Sequence, residues 1–331
     1  MRLFFDAEPP VVLWCEESAA GRRCGRFRPE AADSVLARLL RRGGPESLSY
    51  RLRHGGQGLR EPVSRATPEA LAAAEAAVRY APESNGLIMG LLRRLLRRLP
   101  DAEHLILCDT ALFWGLPPAA SLYAVPAELG RRGVRRYGGD GLLHQWAALR
   151  AAEIFGPGAR RVVSVRLADR TNAAALDSGR PVDTTVGFTP VEGLLSDTCC
   201  GDIDSSVVFE LQSSGLALSE INELLSARSG FRALVGRPCG FTELLRATGA
   251  GASLARRMLR YELVKTVGAF AALLGGVDAL MFSTADPAAA GPFIRAVCRG
   301  LACLGRARAQ AQDDDIWRVM SDLSRNVAKE V

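Results

Sequence analysis

The sequence predicts a layered α/β protein with two domains. The chain has 331 residues, enough for about two domains that each bury a core. Hydrophobic residues make up 48% of it and charged residues are scattered throughout, which excludes a mainly disordered protein. Short β-rich segments alternate with longer segments of helical periodicity, and this alternation is typical of α/β architecture.

Apolar runs and helical periodicity place the individual elements. Thr67 and Ser219 are expected to begin helices, because hydroxyl side chains cap helix N-termini. The predicted strands are Val11–Trp14, Leu105–Cys108, Arg161–Val165 and Leu280–Ser283. The predicted helices are Pro68–Arg79, Leu87–Leu99, Gly141–Ile154, Ala217–Leu225 and Gly251–Leu274, with a terminal helix from about Ile316.

Composition limits the possible partners and the compartment. The net charge is +6, but the densest basic run, Leu91–Leu99, has apolar residues at helical spacing, so its arginines are expected on one solvated face. A patch for RNA, anionic lipid or an acidic partner is the alternative for this run. The longest uncharged apolar stretch lies between Lys265 and Asp278 and is too short to span a membrane. From the arginine pattern and the short apolar stretch we expect binding to neither nucleic acid nor membrane. Eight cysteines without metal-ligand spacing predict a cytoplasmic protein with reduced thiols.

Four segments carry a family resemblance. They are GRPVDTTVGFTPVEGLLSDTCCGDID (Gly179–Asp204), Asp109-Thr110-Ala111, Arg51 within YRLRHGG, and GGVDALMF (Gly275–Phe282). In order and spacing they closely resemble the acetate and propionate kinase family, over about residues 48 to 305. The resemblance implies a two-domain actin-like, sugar-kinase (ribonuclease H-like) fold, with duplicated βββαβαβα cores around a cleft. It implies a first domain of residues 1–112 plus 316–331, shortened between Arg22 and Ser49, and a second domain of residues 113–315.

The same resemblance implies an active site that uses Mg-ATP to phosphorylate a short carboxylate. Asp109 occupies the position of the family's catalytic aspartate, and Arg51 that of its carboxylate-binding arginine. The remaining candidates are Pro190 for the substrate, Ser18, Arg22, Arg166, Arg170 and Phe241 for phosphate or nucleotide, and Asp322 as a metal ligand.

Several departures from the family pattern change this expectation. Cys199 replaces an arginine and Asp140 replaces a histidine, so two cationic groups are missing from the transfer centre. Loss of one such group commonly costs about 10²–10³ in turnover. In the phosphate-binding turns, Glu16 and Glu17 bring negative charge, and glycines are absent from Arg166–Asn172 and Ala285–Ala289. We therefore expect weak or absent binding of Mg-ATP.

The carboxylate pocket and the reactive side chains leave alternatives open. Arg53, Glu83 and Gly139 replace apolar residues of the family pocket, so Arg51, Arg53 and Glu83 either form an internal ion-pair network or receive a more polar ligand. His54 and His144 are expected to be structural rather than catalytic, and thiol chemistry at Cys199-Cys200 is the less favoured alternative.

Two functions follow from these observations. The first is an acetate-kinase-family protein that has lost most or all carboxylate kinase activity and acts as a binding, regulatory or scaffold protein. The alternative is an active kinase that forms an acyl phosphate with a rearranged site. The resemblance also implies a homodimer formed through the helix Leu254–Leu274, with a small carboxylate or a protein as a further partner.

Overall fold

The computed structural model describes residues 1–41, 43–305 and 307–327, which form two compact units. The first unit consists of Met1–Trp114, Gly139–Leu143 and the chain from Asp315 onward. The second consists of Gly115–Gly138 and His144–Asp314. The chain thus leaves the first unit and returns to it twice.

Strands and helices are numbered here in chain order. The strands are β1 Arg2–Glu8, β2 Val11–Ser18, β3 Gly21–Phe27, β4 Ser47–Leu52, β5 Val63–Arg65, β6 Glu103–Cys108, β7 Arg161–Arg166, β8 Asn172–Asp177, β9 Arg180–Thr184, β10 Ala279–Ser283 and β11 Arg308–Gln312. The helices are α1 Ala32–Leu40, α2 Pro68–Ala77, α3 Pro82–Arg98, α4 Pro118–Ser121, α5 Ala127–Arg131, α6 Gly141–Phe155, α7 Ser205–Ser213, α8 Leu218–Ala227, α9 Gly230–Val235, α10 Phe241–Arg246, α11 Ala250–Leu274, α12 Pro287–Gly300 and α13 Ile316–Val327.

The first unit is built on a six-stranded sheet in the order β3-β2-β1-β4-β6-β5. β1, β2 and β3 form an antiparallel meander, whereas β4 and β6 continue the sheet parallel to β1. Helix α3 packs on β1 and β4 through Ile88, Leu92 and Leu95, which recur at helical spacing. The predicted solvated face of this helix is confirmed, since Arg93 is exposed, Arg94 is half-buried, and the two pair with acidic residues of α2 and α1.

The second unit repeats this topology around a five-stranded sheet. Its order is β9-β8-β7-β10-β11, with an antiparallel β7-β8-β9 meander followed by parallel β10 and β11. The long helix α11 packs across β7, β8 and β9, and α12 packs on β11. The shared strand order confirms the duplicated α/β fold, which the sequence alone does not show as an internal repeat.

The predicted elements agree with the structure apart from their ends. All four predicted strands lie within β2, β6, β7 and β10. Helix α3 begins at Pro82, five residues before the predicted Leu87. Proline is favourable at this position, because the backbone N–H that it lacks would have no partner in the first helical turn. Thr67 caps α2 as predicted, by accepting a hydrogen bond from the Ala70 N–H at 3.3 Å. The prediction for Ser219 is wrong: α8 begins at Leu218, and the Glu220 carboxylate accepts the Ala217 N–H at 2.7 Å.

Two further observations bear on the earlier expectations. Cys15 and Cys24, which face each other across β2 and β3, form a disulfide, so the expectation of reduced thiols throughout is wrong. No helix in the described part of the chain is long and apolar enough to cross a membrane.

Candidate functional site

A buried cluster of charged side chains lies at the centre of the first sheet. Arg51 is the penultimate residue of β4, and Asp109 directly follows the neighbouring parallel strand β6. Asp6 lies on β1, which flanks β4 on its other side. The register of three adjacent strands therefore brings one arginine and two aspartates together.

Arg51 donates hydrogen bonds to three carboxylates. Its Nε donates to Asp109 Oδ2 at 3.0 Å, its Nη1 to Asp6 Oδ2 at 3.0 Å and its Nη2 to Asp140 Oδ1 at 3.1 Å. Arg51 is only 3% exposed, and all three aspartates are buried. The guanidinium is thus held by acidic residues of the chain itself, in charge-assisted bonds that are stronger than neutral ones.

Arg53 is the second cation of the cluster. Its Nη2 lies 3.1 Å from Asp6 Oδ2, and its Nη1 lies 3.8 Å from Asp109 and 3.9 Å from Asp140. This side chain is 32% exposed, so it is the most solvated member of the cluster. The prediction of an internal ion-pair network is confirmed for the two arginines, but their partners are three aspartates rather than Glu83.

The charges of the cluster are unequal, with three carboxylates against two guanidinium groups. Burial alone would lower the pKa of Arg51, but the carboxylates of Asp109, Asp6 and Asp140 outweigh it and raise that pKa. Burial raises the pKa of Asp109; Arg51 opposes this effect, and the negative charge of Asp140 adds to it. The cluster therefore already holds more negative charge than its arginines neutralise.

The close contact between Gly141 and Asp109 holds the neighbouring Asp140 in this cluster. Asp140 has a left-handed backbone with φ of 50°, a conformation that aspartate tolerates better than most residues. The next residue, Gly141, donates its N–H to the Asp109 carbonyl at 2.9 Å. A Cβ at Gly141 would collide with that carbonyl and approach Leu112 Cβ to 2.9 Å. Only glycine allows this approach, which holds the Asp140 segment against Asp109.

In the second unit, the segment Gly179–Asp204 is braced by hydrogen bonds to its own backbone. Asp202 accepts the Gly193 N–H at 2.8 Å, and Glu262 of α11 accepts the Leu195 N–H at 2.7 Å. Burial raises the pKa of Glu262, and the Leu195 N–H opposes that rise. Asp202 thus stabilises the loop that contains Gly193.

A small cavity of about 230 Å³ adjoins this segment. Asp169 closes one side of it, where its carboxylate accepts the Phe241 N–H at 3.1 Å and lies against Gly240. Burial raises the pKa of Asp197, and the negative charge of Asp169 contributes to that rise. The cavity is lined by Asp169, Asp197, Thr198, Arg232, Pro238, Cys239, Gly240 and Glu243. Three acidic side chains against one arginine make the cavity electronegative.

Cys199 and Arg170 are in contact near this cavity. The Arg170 Nη1 lies 3.7 Å from the Cys199 sulfur, and the buried thiol also donates to the Ser226 carbonyl at 3.4 Å. Arg170 therefore places a cation beside the thiol that replaces the family's arginine. Arg166, at the end of β7, is held 3.9 Å from Asp314.

Two candidates near the N-terminus lie in a hairpin of the first sheet. Ser18 ends β2, where its hydroxyl accepts the Ala20 N–H at 3.3 Å. Arg22 is the second residue of β3 and forms an ion pair with Asp315. The Ser18 hydroxyl thus bonds within the hairpin, whereas Arg22 pairs with a residue outside it, directly before α13.

The remaining candidates are Phe241, Pro190 and Asp322. Phe241 is 1% exposed and packs edge-to-face on Phe293, so its ring lies in the hydrophobic core of the second unit. Pro190 lies exposed in the loop after β9. Asp322 contacts Arg325 at 3.6 Å on the surface of α13, and no described residues form a group of three His, Cys, Asp or Glu that could bind a metal ion.

The histidines have structural environments. His144 is fully buried and bonds Ser164 Oγ at 2.8 Å and Asn172 Oδ1 at 2.7 Å, which ties α6 to β7 and β8. His54 accepts the Gly56 N–H at 2.9 Å and stacks on Tyr80. Burial lowers the pKa of His54 to about 4, so it is neutral at pH 7.

Comparison with known proteins gives a consistent assignment. The acetokinase family matches residues 45–316. The acetate kinase of Leifsonia xyli subsp. xyli is 36% identical over 268 residues, covering 78% of this chain and 67% of that protein. The acetate kinase of Syntrophobacter fumaroxidans is 31% identical over 307 residues, covering 91% and 74%.

Solved structures agree at the level of the fold. The crystal structure of Porphyromonas gingivalis acetate kinase superposes with a TM-score of 0.86 at 23% identity, covering 99% of each chain. The acetate kinase of Entamoeba histolytica superposes with a TM-score of 0.88 at 16% identity, covering 98% of each chain. With the family match over most of its length and two relatives above 30% identity, this chain belongs to the acetokinase family.

Proposed function

We propose that this protein has lost most or all of the carboxylate kinase activity of its family and acts as a binding protein in a regulatory or scaffold role. One observation carries the proposal: Arg51, at the family's carboxylate-binding position, is bonded to three internal carboxylates. A substrate carboxylate would have to displace one of them, most directly Asp140, or add a fourth negative charge to a buried site. Both routes are unfavourable, because a buried unpaired carboxylate is strongly penalised.

The family implies use of Mg-ATP, but the described residues do not fit a polyphosphate. In the second unit, the cavity beside the family signature is lined by three acidic residues, and the carboxylate of Asp169 occupies its wall. In the first unit, Glu17 forms ion pairs with Arg2 and Arg325 where the family has a phosphate-binding turn. The acidic lining of the cavity opposes phosphate binding, and the ion pairs of Glu17 keep Arg2 and Arg325 from serving a phosphate. We therefore propose that Mg-ATP binds weakly or not at all.

Calorimetric titration with Mg-ATP tests this proposal directly. We expect no saturable heat at millimolar nucleotide, alongside an unrelated ATP-binding protein that titrates normally in the same buffer. Formation of acetyl phosphate from acetate and ATP, trapped as the hydroxamate, should not exceed the blank. A micromolar dissociation constant for Mg-ATP together with measurable turnover would overturn the proposal.

A second function, an active kinase with a rearranged site, is favoured by one observation. Arg170 lies 3.7 Å from Cys199, so it supplies a cation close to the position of the missing arginine. An active enzyme of this kind would form an acyl phosphate from acetate, propionate or another short carboxylate. Under this alternative, Arg170→Met would abolish turnover, whereas the exposed-site variant Arg97→Met would leave it unchanged.

We also propose that the protein is a cytoplasmic homodimer. The exposed apolar residues along α11 support the dimer, since pairing of identical surfaces is the commonest way to cover such a face. Family membership supports the location, and the Cys15–Cys24 bond counts against it because disulfides are rare in reducing compartments. Light scattering on the purified protein and fractionation of the source cells test the two statements separately.

A further inference from the structure

The strand β3 forms an exposed edge of the first sheet. It has seven residues, and among the described strands it pairs only with β2. In an antiparallel pair, alternate residues direct their N–H and C=O groups away from the partner strand. Five of the seven residues of β3 are exposed. This edge therefore presents a row of backbone donors and acceptors that no described strand uses.

The features that usually block such an edge are missing from the described hairpin. Natural sheets often end in a very short strand, a proline or a bulge. β3 contains no proline, and its register with β2 continues without a bulge along the whole strand. Another extended chain could therefore pair with it over its full length.

The hairpin holds β3 in an extended conformation. Trp14 of β2 lies opposite Gly25, and a Cβ on Gly25 would come within 2.9 Å of the indole ring. The neighbouring residues Cys15 and Cys24 are joined by the disulfide. An edge that is already ordered loses little entropy when a ligand binds to it.

This edge and the helix after it carry much of the positive charge of the protein. Residues 21–41 contain six arginines and two acidic residues, a net charge of +4, whereas the whole chain has +6. Helix α1 follows β3 after a short turn, Pro29–Ala31, so the strand and the helix form one basic surface. One of the two acidic residues, Asp33, is paired with Arg94 of α3.

Most of these arginines are available to a partner. Arg22 pairs with Asp315, and Arg23 pairs with Glu16. The other four are exposed and have no ion-pair partner among the described residues: Arg26, Arg28, Arg38 and Arg41. Unpaired cations beside a free strand edge attract an extended chain of opposite charge.

We propose that the edge of β3 binds an extended acidic segment of another protein, which joins the first sheet as a seventh strand. The main chain of this segment pairs with the outward backbone groups of β3, and its carboxylates face Arg26 and Arg28. In strand addition, backbone hydrogen bonds provide affinity and side chains provide specificity. This inference goes beyond the proposed function, because it does not require that kinase activity is lost.

The charge of the edge determines which strand it accepts. A second copy of β3 would place arginines opposite arginines, and like charges on paired strands oppose association. An acidic strand brings opposite charges together. A nucleic acid would also satisfy the arginines, but it has no peptide groups to pair with the backbone of β3.

Three labelled probes test the proposal by fluorescence anisotropy. The first is a ten-residue peptide of alternating glutamate and threonine. The second has proline in place of each threonine, so it keeps the charge but loses half of its backbone N–H donors. The third is a ten-nucleotide thymidylate, a polyanion without peptide groups. We expect saturable binding of the first probe and at least about 10-fold weaker binding of the other two.

Charge reversal locates the binding site. The variant Arg26→Glu with Arg28→Glu should bind the first peptide at least about 10-fold more weakly than the wild type. Neither side chain has a hydrogen bond or ion pair among the described residues, so the variant is expected to fold, which circular dichroism checks. The control, Arg97→Glu with Arg98→Glu on α3, makes the same charge change and should bind as the wild type does.

Hydrogen exchange of the wild type tests strand addition without any variant. Amides of residues 22–27 that face away from β2 should exchange more slowly when the first peptide is bound. The thymidylate should leave their exchange unchanged.

Several outcomes would overturn the proposal. They are no saturable binding at millimolar peptide, unchanged exchange in β3 with the peptide bound, and equal weakening in the reversed variant and its control. Equal affinity for the proline peptide or the thymidylate would mean that the surface binds polyanions in general, and strand addition would be wrong. Calorimetry with Mg-ATP and the hydroxamate assay measure the kinase function separately, so a failure here leaves the proposed loss of activity untouched.

Discussion

Replacing Arg51 by methionine should destabilise the first unit strongly. Methionine keeps much of the side-chain volume but removes the buried cation that Asp6, Asp109 and Asp140 share and leaves them only the partly exposed Arg53. Removing one partner of a buried ion pair typically costs about 3–5 kcal/mol. The arginine and all three carboxylates are buried, and the contacts lie at 2.8–3.1 Å, so we expect a loss of about 3–5 kcal/mol at pH 8.

The loss should depend on pH in a definite direction. Without Arg51, the buried carboxylates bind protons more readily in the folded state than in the unfolded state. A carboxyl group whose pKa is raised on folding lowers the stability of the protein as the pH rises from the unfolded-state pKa, about 3.9, to the folded-state pKa. This stability returns as the pH falls again. Burial already raises the pKa of Asp109 in the wild type. The difference between Arg51→Met and the wild type should therefore shrink from pH 8 to pH 5.

Urea unfolding followed by circular dichroism, with hydrogen exchange of the β4 peptide, measures this loss. Exchange is needed because a chain with two units need not unfold in one step. Arg93→Met is the matched control, since Arg93 pairs with Glu75 on the surface and both side chains are about half exposed. Its expected cost is below about 1 kcal/mol. If Arg51→Met costs no more than this control, the buried ion pairs of the cluster do not stabilise the fold.

Three further predictions concern the same unit. Asp140→Asn should lower the pKa of Asp109, because it removes a neighbouring negative charge; a carboxyl NMR titration in which this pKa is unchanged or raised would contradict the contact. Gly141→Ala should cost about 1–3 kcal/mol in urea unfolding, since its Cβ would collide with the Asp109 carbonyl, and a neutral result would mean that the segment shifts freely. His54 has a pKa of about 4 in the folded protein and about 6.5 when unfolded, so stability should fall as pH drops from 6.5 to 4. His54→Gln should flatten that slope, and equal slopes in the two proteins would refute the assignment.

Much of the fold could be predicted because its signals are local. The strands β2, β6, β7 and β10 are short apolar runs, and the long helices show clear periodicity. Strands such as β1 and β4 were harder to predict, because their place depends on pairing with residues distant in the sequence. The predicted start of α8 at Ser219 failed because Glu220 supplies the capping interaction instead.

Within the candidate site, Arg51 and Asp109 could be predicted as members, because each lies in a motif of the family. Arg51 and Asp109 were both identified, and their contact follows from the parallel pairing of β4 and β6. Asp6 was missed, because a single aspartate near the N-terminus has no pattern to distinguish it; its burial within an apolar strand is the only available signal. The contact of Asp140 with Arg51 depends on a left-handed backbone that no sequence periodicity reveals.

The discontinuity of the first unit bears on how the chain is made. Its sheet is translated first, yet Asp140 and helix α13, whose Ser324 hydroxyl lies 3.3 Å from that of Ser49 on β4, emerge from the ribosome later. At ordinary elongation rates of about 5–20 residues per second, α13 follows Trp114 by roughly 10–40 s. During that interval Arg51 has Asp6 and Asp109 beside it but lacks its third carboxylate until the Asp140 segment arrives, and the helix that packs on β1 and β5 is absent. The second unit can close its own core in the meantime. The unit whose sheet is synthesised first is thus the last to be completed, and a truncation that removes α13 would damage strands encoded about 300 residues earlier.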